Sequence, residues 1–295
     1  MEWLTVPLPD GRELDALVGG DPDGLGIVFQ HGTPGDATRY EGWFADAEAR
    51  GLRAVAYSRP GYATSTRHAG RTVASATDDV TSVLDYLGIG SFMTVGGSGG
   101  GPHAIACAAR LADRCLASAA LVTPAPWEAE GLDWFAGMAQ TNIDEFGAAL
   151  KGEEDLRDWM AAHGEEYRTI TGPQMVSTLG DALPPADQQV ATGEWGDHMA
   201  AGIRRGLERG FDGWVDDDLA FTKPWGFELE TIHVPVRIWQ GELDRLVPWA
   251  HGPWLAERIP GAQFRLAEGH GHFSLGVANR TDILDDLLQA SRTAP

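Results

Sequence analysis

The chain has 295 residues, enough for one large α/β domain with an insertion, and carries 22 Lys and Arg against 43 Asp and Glu, a net charge of −21. Such a polyanion argues against nucleic acid or an anionic membrane surface as a partner, because both repel it, and the acidic excess reads as a solubility or salt-tolerance device. Cys107 and Cys115 form no C-x-x-C pair and read as small core residues in a reducing compartment. No apolar run of about 18 residues occurs, and Met1-Glu2-Trp3-Leu4 lacks a basic stretch leading into an apolar one, so a soluble cytoplasmic protein is expected.

Residues 3–18 alternate apolar and polar around Pro9-Asp10-Gly11, which predicts an antiparallel hairpin opening the sheet. Residues 25–30 are apolar enough for a strand buried on both faces, and they lead into His31-Gly32-Thr33-Pro34-Gly35. A helix is predicted over 38–50 with Trp43, Phe44 and Ala47 on one face, then a strand over 53–57. Residues 73–87 place Val80, Val83, Leu84 and Leu87 at helical spacing. A strand over 92–95, a helix from Pro102 through Cys107 and Leu111, and a strand over 116–122 continue the alternation expected of a doubly wound parallel sheet.

At Pro124 the alternation breaks. For about 110 residues the pattern is helical with glycine and proline breaks, including Pro184-Pro185, and holds Trp127, Trp134, Trp159, Trp195, Trp214 and Trp225 of the chain's 11 tryptophans. A helical insertion cannot bury that much aromatic surface alone, so part of it should face the main domain across a cleft. Trp127, Trp134, Trp159 and Trp214 are the candidate substrate-binding residues. Strands over 234–239 and 263–267 and helices over 248–259 and 283–290 resume the pattern. The expected organisation is an α/β core over 1–123 and 234–295, interrupted by a helical cap over 124–233.

Gly96-Gly97-Ser98-Gly99-Gly100 fits G-x-S-x-G, in which a serine sits on a strained strand-to-helix turn and its flanking glycines let strand and helix pass closely. Ser98, Asp244 and His272 each follow the C-terminal end of a predicted strand, and in a parallel sheet those ends share the edge where ligands bind. A serine hydroxyl needs a histidine to remove its proton, and that histidine needs an acid to fix its tautomer. The oxyanion formed on attack needs N–H donors, here those of Gly99 and, from the loop after residues 25–30, Thr33.

Five ordered motifs carry a resemblance: His31-Gly32-Thr33-Pro34-Gly35, Arg59-Pro60-Gly61-Tyr62, residues 96–100, Gly241-x-x-Asp244-x-x-Val247-Pro248, and Gly271-His272-Phe273-Ser274. Together they span nearly the whole chain. It resembles the capped serine hydrolases of the α/β-hydrolase superfamily, the subset with proline iminopeptidases, cofactor-free haloperoxidases and C–C bond hydrolases. The resemblance implies a Ser98 nucleophile, a His272 base, an Asp244 orienting acid and an acyl-enzyme, with no cofactor and no metal. It favours His272 over His270 through the bulky residue and serine that follow, and it leaves Glu128 as an alternative acid. Ser98 excludes the aspartate-nucleophile dehalogenases and epoxide hydrolases. Thr33 and Gly99 depart from the Gly and Trp usual in proline iminopeptidases.

The expected reaction is hydrolysis of a small ester or amide, a carboxylesterase-like activity. C–C bond hydrolysis, perhydrolysis, aminopeptidase activity and an inert ligand-binding fold are the alternatives, because fold and triad host them all. A small-molecule substrate is the only partner implied, and oligomeric state is not readable. His103 is read as structural, and Glu153, Glu154, Asp216, Asp217 and Asp218 as a solvated face rather than a binding site for a substrate amine.

Overall fold

The computed structural model describes residues 1–292, which build an eight-stranded sheet with helices on both faces. Strands β1 (Glu2–Pro7) and β2 (Glu13–Gly20) form the expected antiparallel hairpin, with Thr5 opposite Asp15. Then β3 (Leu25–Gln30), α1 (Glu41–Glu48), β4 (Leu52–Tyr57), α2 (Ala76–Leu87), β5 (Phe92–Gly97), α3 (Gly101–Arg110) and β6 (Cys115–Leu121) alternate. Six helices follow: α4 (Gln140–Lys151), α5 (Glu153–His163), α6 (Gly172–Leu179), α7 (Pro185–Ala191), α8 (Glu194–Gly206) and α9 (Asp212–Phe221). The chain ends with β7 (Val236–Gly241), α10 (His251–Arg258), β8 (Gln263–Ala267), α11 (Ser274–Ala278) and α12 (Arg280–Ser291).

The strand order is β1-β2-β4-β3-β5-β6-β7-β8, antiparallel from β1 to β4 and parallel from there on. After β4 the chain crosses back over β3 to start β5, so the winding reverses there, and ligands of open α/β sheets bind outside the carboxyl ends at such a reversal. Those ends are Gln30 and Gly97, followed by His31 and Ser98.

Strand side chains alternate between faces, and each face has its own core. Ile27, Phe29, Met93 and Val95 meet Trp43, Phe44, Leu284 and Leu287 on one side, whereas Val28 and Phe92 meet Val83, Leu84 and Ile105 on the other. A third cluster, with Leu156, Met160, Met199, Ile203 and Trp214, lies among the helices inserted between β6 and β7 and takes in Tyr62, Leu246 and Phe273. The insertion is therefore packed onto the sheet's carboxyl edge.

Helix boundaries differ from the sequence expectation at the first turns of two helices. Residues 73–75 form a 3₁₀ turn with a Thr72–Ser75 capping box before α2, and Gly88 at φ +67° ends that helix. The final helix starts three residues earlier than its apolar spacing suggests, with Arg280-Thr281-Asp282 on its polar first turn, and the short α11 precedes it.

Candidate active site

Ser98 sits between β5 and α3 with φ +56°, a left-handed conformation rarely taken by a residue with a side chain. The glycines around it permit the crossing. A Cβ on Gly96 would lie 2.1 Å from the carbonyl oxygen of Gly100, and one on Gly100 would lie 2.0 Å from that of Gln30. The turn thus presses α3 against β3, and the Ser98 side chain is left at the wall of a cavity.

Asp244 lies in the loop after β7 and is buried. Its Oδ1 accepts the N–H groups of Leu246 and Val247, each at 2.9 Å, and its Oδ2 accepts Gln240 Nε2 at 3.1 Å and His272 Nδ1 at 2.8 Å. Burial raises the Asp244 carboxyl above its ordinary pKa, while His272 and the amide of Val247 pull it back. With Nδ1 committed as donor, Nε2 of His272 is left as the acceptor. His272, not His270, meets Asp244, and His272 lines the cavity with Ser98.

The loop after β3 forms the opposite wall. A Cβ on Gly99 would fall 2.3 Å from Thr33 Oγ1, so the Thr33 loop rests directly on the residue after Ser98. His31 is buried and neutral: its Nδ1 donates to the Gly32 carbonyl at 2.8 Å and its Nε2 accepts the Arg59 amide at 2.9 Å, while burial and the Arg59 charge hold its pKa well below the usual value. The Arg59 guanidinium donates to the carbonyls of His31 and Gly32 and, at 3.1 Å, to Thr33 Oγ1.

A buried carboxylate anchors this loop to the insertion. Asp217 of α9 pairs with Arg59 and Arg71, each at 2.6 Å, and accepts Tyr62 Oη at 2.9 Å and Thr33 Oγ1 at 2.7 Å. Burial alone would raise its pKa, but the two guanidiniums outweigh that and hold it well below the carboxylate range. His103 stands 3.6 Å from the same carboxylate, its pKa pushed down to about 4 by burial.

The cavity has a volume of about 100 Å³, and its deep wall is mostly apolar, with Phe146, Met199, Ile203, Trp214 and Phe221. Among the proposed substrate-binding tryptophans Trp214 lines it; Trp127, Trp134 and Trp159 do not. Trp134 donates Nε1 to the Ala125 carbonyl at 2.9 Å and packs edge-on to Trp127 and His251, joining the insertion to the main core. Trp159 lies behind Trp214, edge to face at 6.0 Å.

Two carboxyls also line the cavity. Trp214 Nε1 donates to Glu145 Oε1 at 2.6 Å, whereas Asp218 meets no N–H donor among the described residues and faces Glu145 itself. Two carboxylates cannot bond unless one keeps a proton. Burial pushes Glu145 up to about 7 and, with repulsion from Glu145, Asp218 well above its ordinary value, so the pair holds its protons more tightly than free carboxyls do.

Residues 27–278 match the family described as the alpha/beta hydrolase fold. The chain belongs to the α/β-hydrolase family. This α/β hydrolase is 27% identical over 250 residues to a bifunctional esterase/perhydrolase of Acinetobacter calcoaceticus, covering 83% of each chain. It is 24% identical over 278 residues to a non-heme chloroperoxidase of Streptomyces lividans, covering 92% of this chain and 94% of the other. The solved bromoperoxidase of Bacillus anthracis superposes with a TM-score of 0.68 at 21% identity, over 99% of this chain and 100% of that one.

Some groups that shape the site of this α/β hydrolase differ from the sequence reading or were not singled out by it. Asp216, Asp217 and Asp218 are buried rather than a solvated face, because arginines far away in the chain and Glu145 meet them; Glu153 and Glu154 are exposed as a solvated reading requires, and Glu128, the alternative acid, is exposed as well. Asp187 of α7 is also buried. It accepts the N–H of Phe273 at 3.1 Å, the N–H of Ser274 at 2.8 Å and Ser274 Oγ at 2.6 Å, holding the turn that carries His272. The only sequence signal for it was Pro184-Pro185 at a helix start. Among the described residues no helix is long and apolar enough to cross a membrane.

Proposed function

We propose that this α/β hydrolase cleaves small esters through an acyl-enzyme, with Ser98 as nucleophile, His272 as base and Asp244 as the acid that orients it. The observation that carries the reading is the 2.8 Å bond from His272 Nδ1 to Asp244, with His272 and the strained Ser98 on one cavity wall. His272 Nε2 takes the Ser98 proton as Oγ adds to the ester carbonyl. The backbone N–H groups of Gly99 and Thr33 receive the oxyanion, each worth about 3 kcal/mol in the transition state. His272 then returns its proton to the leaving alcohol, and water repeats the sequence on the acyl-enzyme. The helices inserted between β6 and β7 act as a cap whose Trp214, Phe221 and Met199 receive the apolar acyl part, and a cavity of about 100 Å³ favours a compact one.

A second reading uses the same acyl-enzyme with hydrogen peroxide in place of water, giving a peracid. The relatives named esterase/perhydrolase and non-heme chloroperoxidase favour it. One experiment tests both: a fluorophosphonate should label the wild-type protein and not Ser98→Ala, and p-nitrophenyl acetate turnover should fall at least ~10³-fold in that variant. Peracid formation on adding peroxide, lost in the same variant, supports the second reading. Unlabelled wild-type protein sinks both.

A further inference from the structure

Arg39 stands apart from the other arginines around the site. Arg59 and Arg71 each hold Asp217, Arg67 holds Asp216, and Arg205 holds Asp15 and Asp36, but among the described residues the half-buried Arg39 guanidinium has no hydrogen-bond acceptor and no carboxylate within salt-bridge distance. Its central carbon and both terminal nitrogens lie 3.1 to 3.3 Å from where a Cβ on Gly32 would stand, so the guanidinium is laid flat against that residue. Its five N–H donors have no acceptor among the described residues.

Arg39 lines the cavity holding Ser98, Gly99, Thr33 and His272, and also a smaller one shared with His272 and Gly97. The charged and titratable neighbours that act on it are Tyr40 and Arg59; burial and the second cation lower its pKa, Tyr40 pulls it part of the way back, and no carboxylate acts on it. The nearby carboxylates are committed elsewhere: Asp36 to Thr38 and Arg205, and Asp217 to Thr33, Tyr62, Arg59 and Arg71. Leaving a desolvated cation unpaired is unfavourable. A planar fork with no acceptor of its own, on a residue that lines the cavity with Ser98, can receive a carboxylate through two parallel hydrogen bonds.

We propose that Arg39 is a specificity-determining residue that binds a carboxylate on the substrate, making the preferred substrate a compact ester that also carries a free carboxylate, such as a half-ester of a dicarboxylic acid. The proposal rests on the ester-hydrolase reading for the reacting bond. The anion site itself stands on Arg39 and the cavity. Because Arg39 rests on Gly32, next to Thr33, the carboxylate and the scissile carbonyl are joined by a short linker. Glu145 and Asp218, also on the cavity, repel a second carboxylate at that part of the wall and so fix which way round the substrate enters.

The test compares monomethyl succinate with dimethyl succinate on wild type, Arg39→Met and Arg39→Lys, and separately measures binding of monomethyl succinate to Ser98→Ala with and without Arg39→Met by calorimetry. The ratio of kcat/KM for the half-ester to that for the diester should fall about tenfold or more in Arg39→Met, chiefly through KM, with partial recovery in Arg39→Lys. Binding to Ser98→Ala should weaken by a similar factor. Equal losses on both esters, or an unchanged ratio in folded Arg39→Met, overturn the proposal. Ser98-dependent turnover of p-nitrophenyl acetate with Arg39-independent binding defeats the anion site and leaves the hydrolase reading standing. Arg39-dependent binding without hydrolysis of any ester does the reverse.

Discussion

Asp217 and Asp218 are consecutive residues of α9, both wholly buried, and their carboxyls are driven in opposite directions. Successive helical residues point about 100° apart, so one faces the loop behind Thr33 and the other faces the cavity. Asp217 enters a nest with two guanidiniums, a phenol and a threonine hydroxyl, and stays ionised. Asp218 finds only another carboxyl and keeps a proton or shares one. Burial is equal at the two positions; the partners decide the charge state. One residue therefore ties the insertion to the loop beside Ser98, and its neighbour leaves the cavity with an acid that has no cation to meet among the described residues.

Replacing Asp217 breaks the comparison most severely. Asp217→Asn leaves Arg59 and Arg71 buried without their counter-charge, and removing one partner of a buried ion pair costs about 3–5 kcal/mol. Urea unfolding at neutral pH should show a loss of that size, with turnover reduced further because the Thr33 hydroxyl and the Arg59 contacts to the His31 and Gly32 carbonyls lose their anchor. The depressed pKa gives a second readout: the stability Asp217 contributes is present above the unfolded carboxylate pKa and is lost only as pH falls through the much lower folded value. A loss below about 1 kcal/mol at pH 7 would contradict the anchoring role.

The contrast also shows what a sequence can and cannot carry. Strands β3 and β5 are legible because continuous apolar runs leave one option, and the turn at Ser98 is legible because its glycines lie within two residues of it. The order of Ser98, Asp244 and His272 at strand ends follows from the alternating pattern, and the meeting of His272 with Asp244 agrees with it. A run of three aspartates gives no such clue. Asp217 and Arg59 are 158 residues apart, so the pairing that buries them exists only once the insertion has folded onto the sheet. Tryptophan content likewise signals a large aromatic interface without direction: Trp214 turns to the cavity, while Trp134, with a carbonyl in reach of its N–H, turns to the core. Arg39 was illegible for the opposite reason, since its significance lies in a partner that the chain does not provide.

Asp187 falls between the two. It is as buried as Asp217, but its partners are two backbone N–H groups and a hydroxyl, not cations. Hydrogen bonds to a charged group contribute about 1.5–3 kcal/mol each at most, and part of that returns when water fills the gap. Asp187→Ala should therefore cost about 2 kcal/mol in stability and, by loosening the turn that carries His272, lower kcat by up to ~100-fold while leaving KM within about twofold. A KM rise with kcat unchanged would mean that α7 shapes the substrate pocket rather than positioning His272.

Asp218 is the mildest lever, and the sign of its effect depends on pH. In the unfolded chain both Asp218 and Glu145 ionise near pH 4, whereas in the folded protein burial holds Glu145 up at about 7 against the bonds from Asp218 and Trp214, and burial with repulsion from Glu145 holds Asp218 well above its ordinary value. The folded state thus keeps protons that the unfolded chain has released. Stability from this source is complete below about pH 4 and declines as pH rises through neutrality. In Asp218→Asn the amide can donate to Glu145 without contributing a charge, so a near-neutral effect is expected at pH 5 and a gain of about 1 kcal/mol at pH 8, read from urea midpoints. Asp217→Asn in the same assay should lose stability at both pH values. If Asp218→Asn shifts the midpoint equally at pH 5 and pH 8, the shared proton is absent and the two neighbouring aspartates differ in packing rather than in charge.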